Sequence, residues 1–289
     1  MDNIKFCVSS YSFKKLLDKT GEKQIDTIKM AKDLGFDGIE FADLHNEEGE
    51  DLLDYARRLK AECDKYDMPA VNLAIGADFI NGRKVPKEDE IPRVKKYIDA
   101  CEILGIKTMR HDVLYHFGEY ISFDTALPEL AAAIREVTEY AEKKCIRTMV
   151  ENHGYIAQDA LRVERLYNAV NHPNFSLLLD MGNFLCADEN PVTSAGIVAP
   201  YVKFVHAKDF YFKPGTDANP GEQYMTTRGG NFIKGAPIGH GIVPVKQILR
   251  ALNKAKYEGY ISIEYEGHED VLTGISIGIE NLKRYASEV

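Results

Sequence analysis

The chain has 289 residues, of which 45 % are hydrophobic, so it can form one large domain or two small ones around a sizeable core. Its formal net charge of −9 disfavours broad electrostatic binding to nucleic acid, whose backbone attracts basic surfaces. No apolar run approaches the ~20 residues that span a bilayer, and the N-terminal stretch lacks the pattern of a secretory signal. Five dispersed cysteines without CxxC spacing favour a reducing compartment, so we expect a cytoplasmic protein with no membrane partner.

Short apolar runs alternate along the chain with longer segments of helical periodicity. Eight runs are predicted to be strands: Phe6–Ser10, Gly38–Phe41, Ala70–Ile75, Lys107–Arg110, Thr148–Glu151, Phe175–Asp180, Val202–His206 and Tyr260–Glu264. Between strands, apolar residues recur at steps of three and four, which predicts amphipathic helices. Examples follow the second, third, fourth and seventh strands: Leu52, Ala56, Leu59 and Cys63; Ile91, Val94, Ile98 and Cys101; Leu130, Ile134, Val137 and Ala141; Ile248, Leu249, Leu252 and Ala255.

Several predicted helices end in a glycine just before the next strand, as at Gly35 and Gly105. Strict alternation of strands and helices predicts a parallel sheet, and eight such units match a closed (β/α)8 barrel. The alternative, an open doubly wound sheet, usually has a glycine-rich first turn. Here the first strand leads instead into SSYSFKK. We therefore expect an α/β protein with one TIM barrel domain over residues 1–289.

One connection, Phe210–Val243, is much longer than the others and contains many glycines and prolines. Irregular loops of this length are usually functional or mobile. Because it leaves a strand that ends in polar residues, we expect it to cover a substrate, with Arg228 closing over the site.

Four predicted strands end in a polar residue that follows apolar ones: Glu151, Asp180, His206 and Glu264. The carboxyl ends of the strands form the face on which (β/α)8 enzymes build their active sites. Side chains alternate between the two faces along a strand. Because the apolar neighbours of these four residues are expected to face the helices, the four themselves are expected to face the barrel interior. Three carboxylates and an imidazole are therefore expected to converge.

Carboxylates at close range repel one another, and a divalent cation removes that penalty. Three oxygen ligands and one nitrogen suit Mn²⁺, our first expectation, with Zn²⁺, Co²⁺ and Mg²⁺ as alternatives. The opposing interpretation is that each residue separately caps a strand or forms an ion pair. The coincidence of four strand ends favours one metal site.

The chain resembles the xylose isomerase-like TIM barrel superfamily of sugar isomerases and epimerases over nearly its whole length. The resemblance depends on five motifs: VENHG (150–154), LLLDMGNF (177–184), VHAKDF (205–210), IGHGIVP (238–244) and ISIEYEG (261–267). It implies that Glu151, Asp180, His206 and Glu264 bind the metal and that the two glutamates lie on opposite sides of the substrate. Asn183 stands where many sugar epimerases of this group have a histidine.

The leading hypothesis is proton transfer next to a carbonyl of an open-chain sugar, through a metal-stabilised enediolate. Glu151 and Glu264 are the expected acid/base pair, and His153 is expected either to move a proton on a substrate oxygen or to orient its neighbours. We expect the substrate to be an unphosphorylated small carbohydrate, because no glycine-rich phosphate loop is present. A homo-oligomer is compatible with this interpretation.

Further polar residues near the strand ends are candidate substrate contacts: Lys208, Arg110, His111, Arg228 and Glu40. Their alternative roles are local ion pairs, Lys208 with Glu266 or Asp209 and Arg110 with Asp112.

Three other functions compete with isomerisation. A dehydratase of the inosose or dehydroshikimate type shares the first step, proton loss beside a carbonyl. An apurinic-site endonuclease would need several more histidines, and the acidic chain disfavours a phosphate-rich partner. A non-enzymatic binding barrel would leave four convergent ligands without a use.

Overall fold

The fold is seen in a computed structural model that describes residue 1 and residues 3–289. Within this part of the chain the strands are β1 (Ile4–Ser9), β2 (Gly38–Ala42), β3 (Ala70–Ile75), β4 (Thr108–His111), β5 (Arg147–Glu151), β6 (Phe175–Asp180), β7 (Val202–Ala207), β8 (Asp209–Lys213), β9 (Met225–Thr226), β10 (Phe232–Ala236) and β11 (Gly259–Ile263). The α-helices are α1 (Lys14–Thr20), α2 (Thr27–Asp33), α3 (Leu52–Tyr66), α4 (Lys87–Leu104), α5 (Phe123–Glu142), α6 (Ala160–Val170), α7 (Pro191–Val198), α8 (Val245–Lys254) and α9 (Val271–Ser287). Short 3₁₀ helices lie at Ser10–Phe13, Gln24–Asp26, Asn183–Ala187 and Ala199–Tyr201.

Eight of the strands close into a parallel barrel in the order β1-β11-β7-β6-β5-β4-β3-β2. Each predicted strand overlaps one of these barrel strands and differs from it by at most two residues at either end. The predicted (β/α)8 TIM barrel is confirmed. None of the helices in the described chain is long and apolar enough to cross a membrane.

Side chains on each barrel strand alternate between two apolar regions, one between the strands and the helices and one inside the barrel. Val150, Val205 and Ile263 belong to the large core between the strands and the surrounding helices. Met149 and Phe204, one residue away from the first two along their strands, belong to a small cluster inside the barrel. The next inward positions toward the carboxyl ends are therefore the polar residues of the site.

Helix ends follow the sequence signals. Asp51 caps α3 by accepting a hydrogen bond from the Leu53 N–H at 2.8 Å. Gly35 and Gly105 follow α2 and α4 with φ of 75°, a left-handed conformation that glycine adopts without a steric penalty. These stops fix where each chain segment returns to the barrel.

The long connection Phe210–Val243 contains a second, three-stranded antiparallel sheet in the order β8-β10-β9. Its return segment is bound to Asp209, a buried carboxylate that accepts backbone hydrogen bonds from Gly239, Gly241 and Val243 at 2.8–3.0 Å. The segment expected to be irregular is thus a small sheet attached to the barrel rim.

Candidate active site

Four side chains meet inside the carboxyl end of the barrel. Glu151 and Asp180 are the last residues of β5 and β6, His206 lies near the end of β7, and Glu264 directly follows β11. One possible ligand atom from each lies within 4.8 Å of the other three. His206 Nδ1 is 3.4 Å from Glu151 Oε1, 3.9 Å from Asp180 Oδ2 and 3.7 Å from Glu264 Oε2.

Two buried atoms at the centre of this cluster lack hydrogen bonds within the described residues: Asp180 Oδ2 and His206 Nδ1. Asp180 Oδ1 accepts the backbone N–H groups of Gly182 and Asn183, both at 2.7 Å. A buried polar atom without a partner costs free energy, so such atoms call for an explanation. Oxygen and imidazole donors around two unsatisfied atoms fit a divalent cation.

Charges around the cluster shift its acids in opposite directions. Burial, together with repulsion from the two neighbouring glutamates, raises the pKa of Asp180 to about 6. Burial also opposes ionisation of Glu151, but Arg110 together with His206 and His153 outweighs it and lowers the pKa of that carboxyl well below its usual range. At Glu264, Lys208 together with His206 likewise outweighs burial and lowers the pKa of the carboxyl. Asp180 is therefore the one of the three carboxyls whose pKa is raised, although Lys208 Nζ lies 3.4 Å from its Oδ2.

Glu40 lies behind His206 and not in the cavity. Its carboxylate is fully buried, both of its oxygens are 2.9 Å from His206 Nε2, and it accepts a 2.7 Å hydrogen bond from Asn72. Since a carboxylate only accepts when ionised, Nε2 carries the hydrogen and Nδ1 is left free for a ligand. The structure thus gives Glu40 an orienting position, where a substrate contact was expected.

Asp112 organises a second polar group next to Glu151, Asp180, His206 and Glu264, the four candidate ligands that we call the metal-ligand cluster. It is 6 % exposed and contacts Arg110 Nη2 at 2.7 Å, His153 Nδ1 at 2.8 Å and the Tyr115 hydroxyl at 2.5 Å. Burial disfavours the charged imidazole, but Asp112 outweighs burial and raises the pKa of His153. Sequence reasoning treated Asp112 only as a partner of Arg110; its position directly after a strand was the signal that was missed.

Arg110 and Lys208 connect the cluster to the cavity, which both residues line. Arg110 Nε lies 2.6 Å from Glu151 Oε2, although its hydrogen is not aimed at that oxygen. Lys208 Nζ lies 2.5 Å from Glu264 Oε2 and 3.4 Å from Glu266 Oε1. Two of the predicted ion pairs, Arg110–Asp112 and Lys208–Glu266, are therefore present, and both basic residues also line the cavity.

Two other expected contacts lie away from the cavity. His111 is fully buried, its Nδ1 is 2.8 Å from the Asp112 carbonyl, and its ring meets the edge of Phe79. Arg228 donates to Asp159 at 3.1 Å and to the Tyr155 carbonyl. It joins the β9–β10 turn to the loop after β5 and does not close over the metal-ligand cluster.

The cavity above these residues has a volume of about 750 Å³. Its inner end contains Glu151, His153, Lys208 and Glu264, and Tyr11 and Tyr115 line it as well. No described residue of Phe210–Val243 lines it; that segment borders a smaller pocket of about 280 Å³ beside it. The segment that was expected to cover the substrate therefore lies beside the cavity and does not line it.

Comparison with known families matches residues 28–285 to the xylose isomerase-like TIM barrel. An inosose dehydratase from Clostridium beijerinckii is 26 % identical over 152 residues, which are 52 % of this chain and 50 % of that relative. The chain thus spans about half the length of the inosose dehydratases that it matches.

A second relative covers more of the chain. The L-ribulose-5-phosphate 3-epimerase UlaE of Escherichia coli O157:H7 is 23 % identical over 260 residues, 84 % of this chain and 82 % of that enzyme. Among solved structures, the IolI protein with a bound zinc atom superposes with a TM-score of 0.74 at 18 % identity, covering 98 % of both chains. The structural match shows the shared fold.

Proposed function

Because the chain belongs to the xylose isomerase-like TIM barrel family, we propose that it is a metal-dependent sugar isomerase or epimerase. It would move a proton next to the carbonyl of a ketose or a related polyol-derived substrate. The observation that supports this most directly is the cluster of Glu151, Asp180, His206 and Glu264 around two unsatisfied buried atoms. Relatives named as a dehydratase and an epimerase agree with chemistry beside a carbonyl.

The four clustered residues would hold one divalent cation, with Mn²⁺ our first choice and Zn²⁺, the ion of the IolI neighbour, the main alternative. When bound, the cation would supply a Lewis acid that polarises a carbonyl and stabilises negative charge on oxygen. Glu40 would keep His206 in the tautomer that presents Nδ1.

Glu151 and Glu264 would exchange protons with the substrate carbon. They project from β5 and β11, which are separated in the barrel by β6 and β7. Their carboxylates therefore approach the inner cavity from different directions, so one can accept a proton while the other returns one. Both acids have lowered pKa values and are ionised at neutral pH, so each can accept a proton, and the same lowering makes each a weaker base.

His153 and Lys208 would act on the substrate oxygens. Asp112 accepts the Nδ1 hydrogen of His153, so Nε2 is the free nitrogen for a substrate hydroxyl. Lys208, 4 % exposed and beside Glu264, can donate to an oxygen on which charge develops. Arg110 would mainly hold Glu151 and Asp112 in place.

Dehydration is the second candidate, favoured by the His153–Asp112 pair and by the match to the inosose dehydratases. After the same first proton transfer, His153 in its protonated form would give a proton to a departing hydroxyl group. The raised pKa of His153 favours the protonated imidazole that this role requires.

A screen of ketoses and inososes in D₂O with added Mn²⁺ or Zn²⁺, followed by NMR, tests the proposal. Deuterium at one carbon of a ketose indicates isomerisation or epimerisation, and loss of a hydroxyl group with an unsaturated product indicates dehydration. We expect Glu151→Gln and Glu264→Gln each to slow exchange by ~10²–10⁴-fold, the usual contribution of a general base. Wild-type exchange in both variants, with metal still bound, would place the bases elsewhere.

A further inference from the structure

The cavity is larger than one monosaccharide requires. A hexose has twelve heavy atoms, and a full water volume of ~30 Å³ for each gives a generous upper limit of about 360 Å³. The cavity of about 750 Å³ is roughly twice that size. About half of it therefore remains when a sugar is bound at the metal-ligand cluster.

This remaining space, the outer cavity, is lined by the segments that follow β1 and β2. Its charged residues are two lysines and four carboxylates: Lys14, Lys23, Asp18, Glu22, Asp43 and Glu47. Lys14 is paired with Asp18 at 2.6 Å, so part of the positive charge is already neutralised. This balance of charges gives an anionic group such as a phosphate no net attraction.

Neutral hydrogen-bonding groups lie among these charges. The His45 ring makes no hydrogen bond to the described residues, and Asn46 uses only its amide nitrogen, which donates to the Glu50 carbonyl at 2.6 Å. Interspersed donors and acceptors of both signs match a polyhydroxylated ligand, whose hydroxyl groups both donate and accept.

Two exposed aromatic side chains line the cavity. Tyr11 is 41 % exposed, and its hydroxyl has no hydrogen-bond partner in the described chain. Tyr115, 37 % exposed, lies on the cavity wall with Arg83 over its ring at 4.6 Å. Flat aromatic faces supply the apolar contact that the C–H face of a sugar needs, while polar neighbours fix its orientation.

We propose that the outer cavity is a second sugar subsite, so that the substrate is a glycoside with its keto-sugar unit at the metal-ligand cluster. The second sugar would lie against Tyr11 and donate and accept hydrogen bonds at His45, Asn46 and Glu47. The placement of the keto-sugar rests on the proposed function, whereas the existence of the subsite rests on the outer cavity alone.

The test is calorimetric titration of the metal-supplemented full chain with D-fructose, fructose 6-phosphate and two keto-disaccharides, isomaltulose and maltulose. We expect at least one disaccharide to bind about tenfold or more tightly than fructose, and fructose 6-phosphate to gain no comparable advantage. Tyr11→Ala or Asn46→Ala should remove most of the disaccharide advantage, measured as the ratio of the fructose Kd to the disaccharide Kd within each variant. Tyr155→Ala is the matched control, because this tyrosine is 46 % exposed and does not line the cavity.

The proposal is overturned if neither disaccharide binds more tightly than fructose, if fructose 6-phosphate binds most tightly of all, or if both cavity variants keep the full disaccharide advantage. Deuterium exchange into free ketoses is a separate readout. Its absence contradicts the proton chemistry, whereas exchange combined with equal affinity for all the sugars overturns only the second subsite.

Discussion

Glu40 lies outside the metal-ligand cluster but contacts its histidine, His206, so the affinity of the cluster for a metal should depend on Glu40. Glu40→Gln keeps the size of the side chain but removes the carboxylate. In the wild type this carboxylate fixes the His206 tautomer and makes the His206 ring more basic. We expect the affinity for Mn²⁺ or Zn²⁺ to fall by ~10–100-fold, the usual effect of losing such a partner. Isothermal titration with each metal measures it.

Glu90→Gln is the matched control for this variant. Glu90 is also a fully buried glutamate, but it is paired with Arg93 in α4, away from the cluster. We expect it to lower stability without lowering metal affinity. If Glu40→Gln binds metal as tightly as the wild type, Glu40 does not orient the ligand.

His111 makes a distinct contribution to the pH dependence of stability. Burial lowers its pKa to about 4 from the ordinary 6.5, because the charged ring has no water and its Nε2 has no partner among the described residues. Between these two values the unfolded chain binds a proton that the folded protein does not. The free energy of unfolding therefore falls as pH drops through this window, by about 3 kcal/mol in all.

The variant His111→Gln keeps a donor for the Asp112 carbonyl but does not titrate. Urea unfolding at several pH values between 4 and 7 should show a shallower loss of stability in the variant than in the wild type. Parallel pH curves for the two proteins would show that His111 is not held neutral by burial.

At the scale of elements, Asp209 determines how the long connection returns to the barrel. Its two oxygens accept four backbone N–H groups, from Phe210, Gly239, Gly241 and Val243. A Cβ at Gly241 would lie 2.2 Å from Asp209 Oδ1, so only glycine allows this approach. The carboxylate thus holds the segment between β10 and α8 in one conformation.

Asp209→Asn would place an amide N–H₂ against backbone donors and leave at least one of them unsatisfied. We expect a loss of about 1–3 kcal/mol in the free energy of unfolding, measured with urea, and faster hydrogen exchange in residues 237–243. Asp217→Asn is the control, because this exposed aspartate of the same connection has no side-chain hydrogen bond within the described residues. Equal stability of the two variants would contradict the structural role of Asp209.

The strands were predictable because each combines a short apolar run with an alternating pattern, and both signals are local. Alternation also predicts which way a side chain points, and it should have excluded one expectation. Arg110 and His111 are adjacent on β4, so they cannot both face the cavity, and His111 is the one that turns away. Alternation does not, however, show how deep along the barrel axis a residue lies. Glu40 points inward but lies in the middle of β2, below the rim of the barrel.

The long connection could not be predicted in the same way, because its structure depends on distant partners. Glycines and prolines indicate where regular structure stops, but the pairing of β10 with β8 joins residues 19 (Phe232 and Lys213) to 27 (Ala236 and Asp209) positions apart. Arg228 also finds its partner Asp159 69 positions away along the chain. Its charge suggested a substrate contact, whereas the fold uses it as an anchor.

At the scale of the whole molecule, the barrel brings together three carboxylates that repel one another in the absence of a cation. Asp180 shows this most clearly, because its pKa of about 6 means that the folded protein disfavours its ionised form. Since this folded value lies above the ordinary 3.8, the folded state binds more protons in between, and metal-free stability falls as pH rises through that range. At neutral pH the ionised Asp180 carboxylate should therefore destabilise the metal-free fold.

Metal binding should reverse this effect, because a cation that binds only the folded state stabilises it by about 2.7 kcal/mol at a hundred times its Kd. We expect Mn²⁺ or Zn²⁺ to raise the Tm of the wild type by several degrees, and a chelator to lower it again. Asp180→Asn keeps the Oδ1 acceptor for Gly182 and Asn183 but removes the charge. Without metal its Tm at pH 7 should equal or exceed that of the wild type, whereas with metal it should be lower. Thermal unfolding of both proteins with chelator and with metal tests this crossing of stabilities, and equal metal-induced shifts in the two would show that Asp180 does not bind the cation.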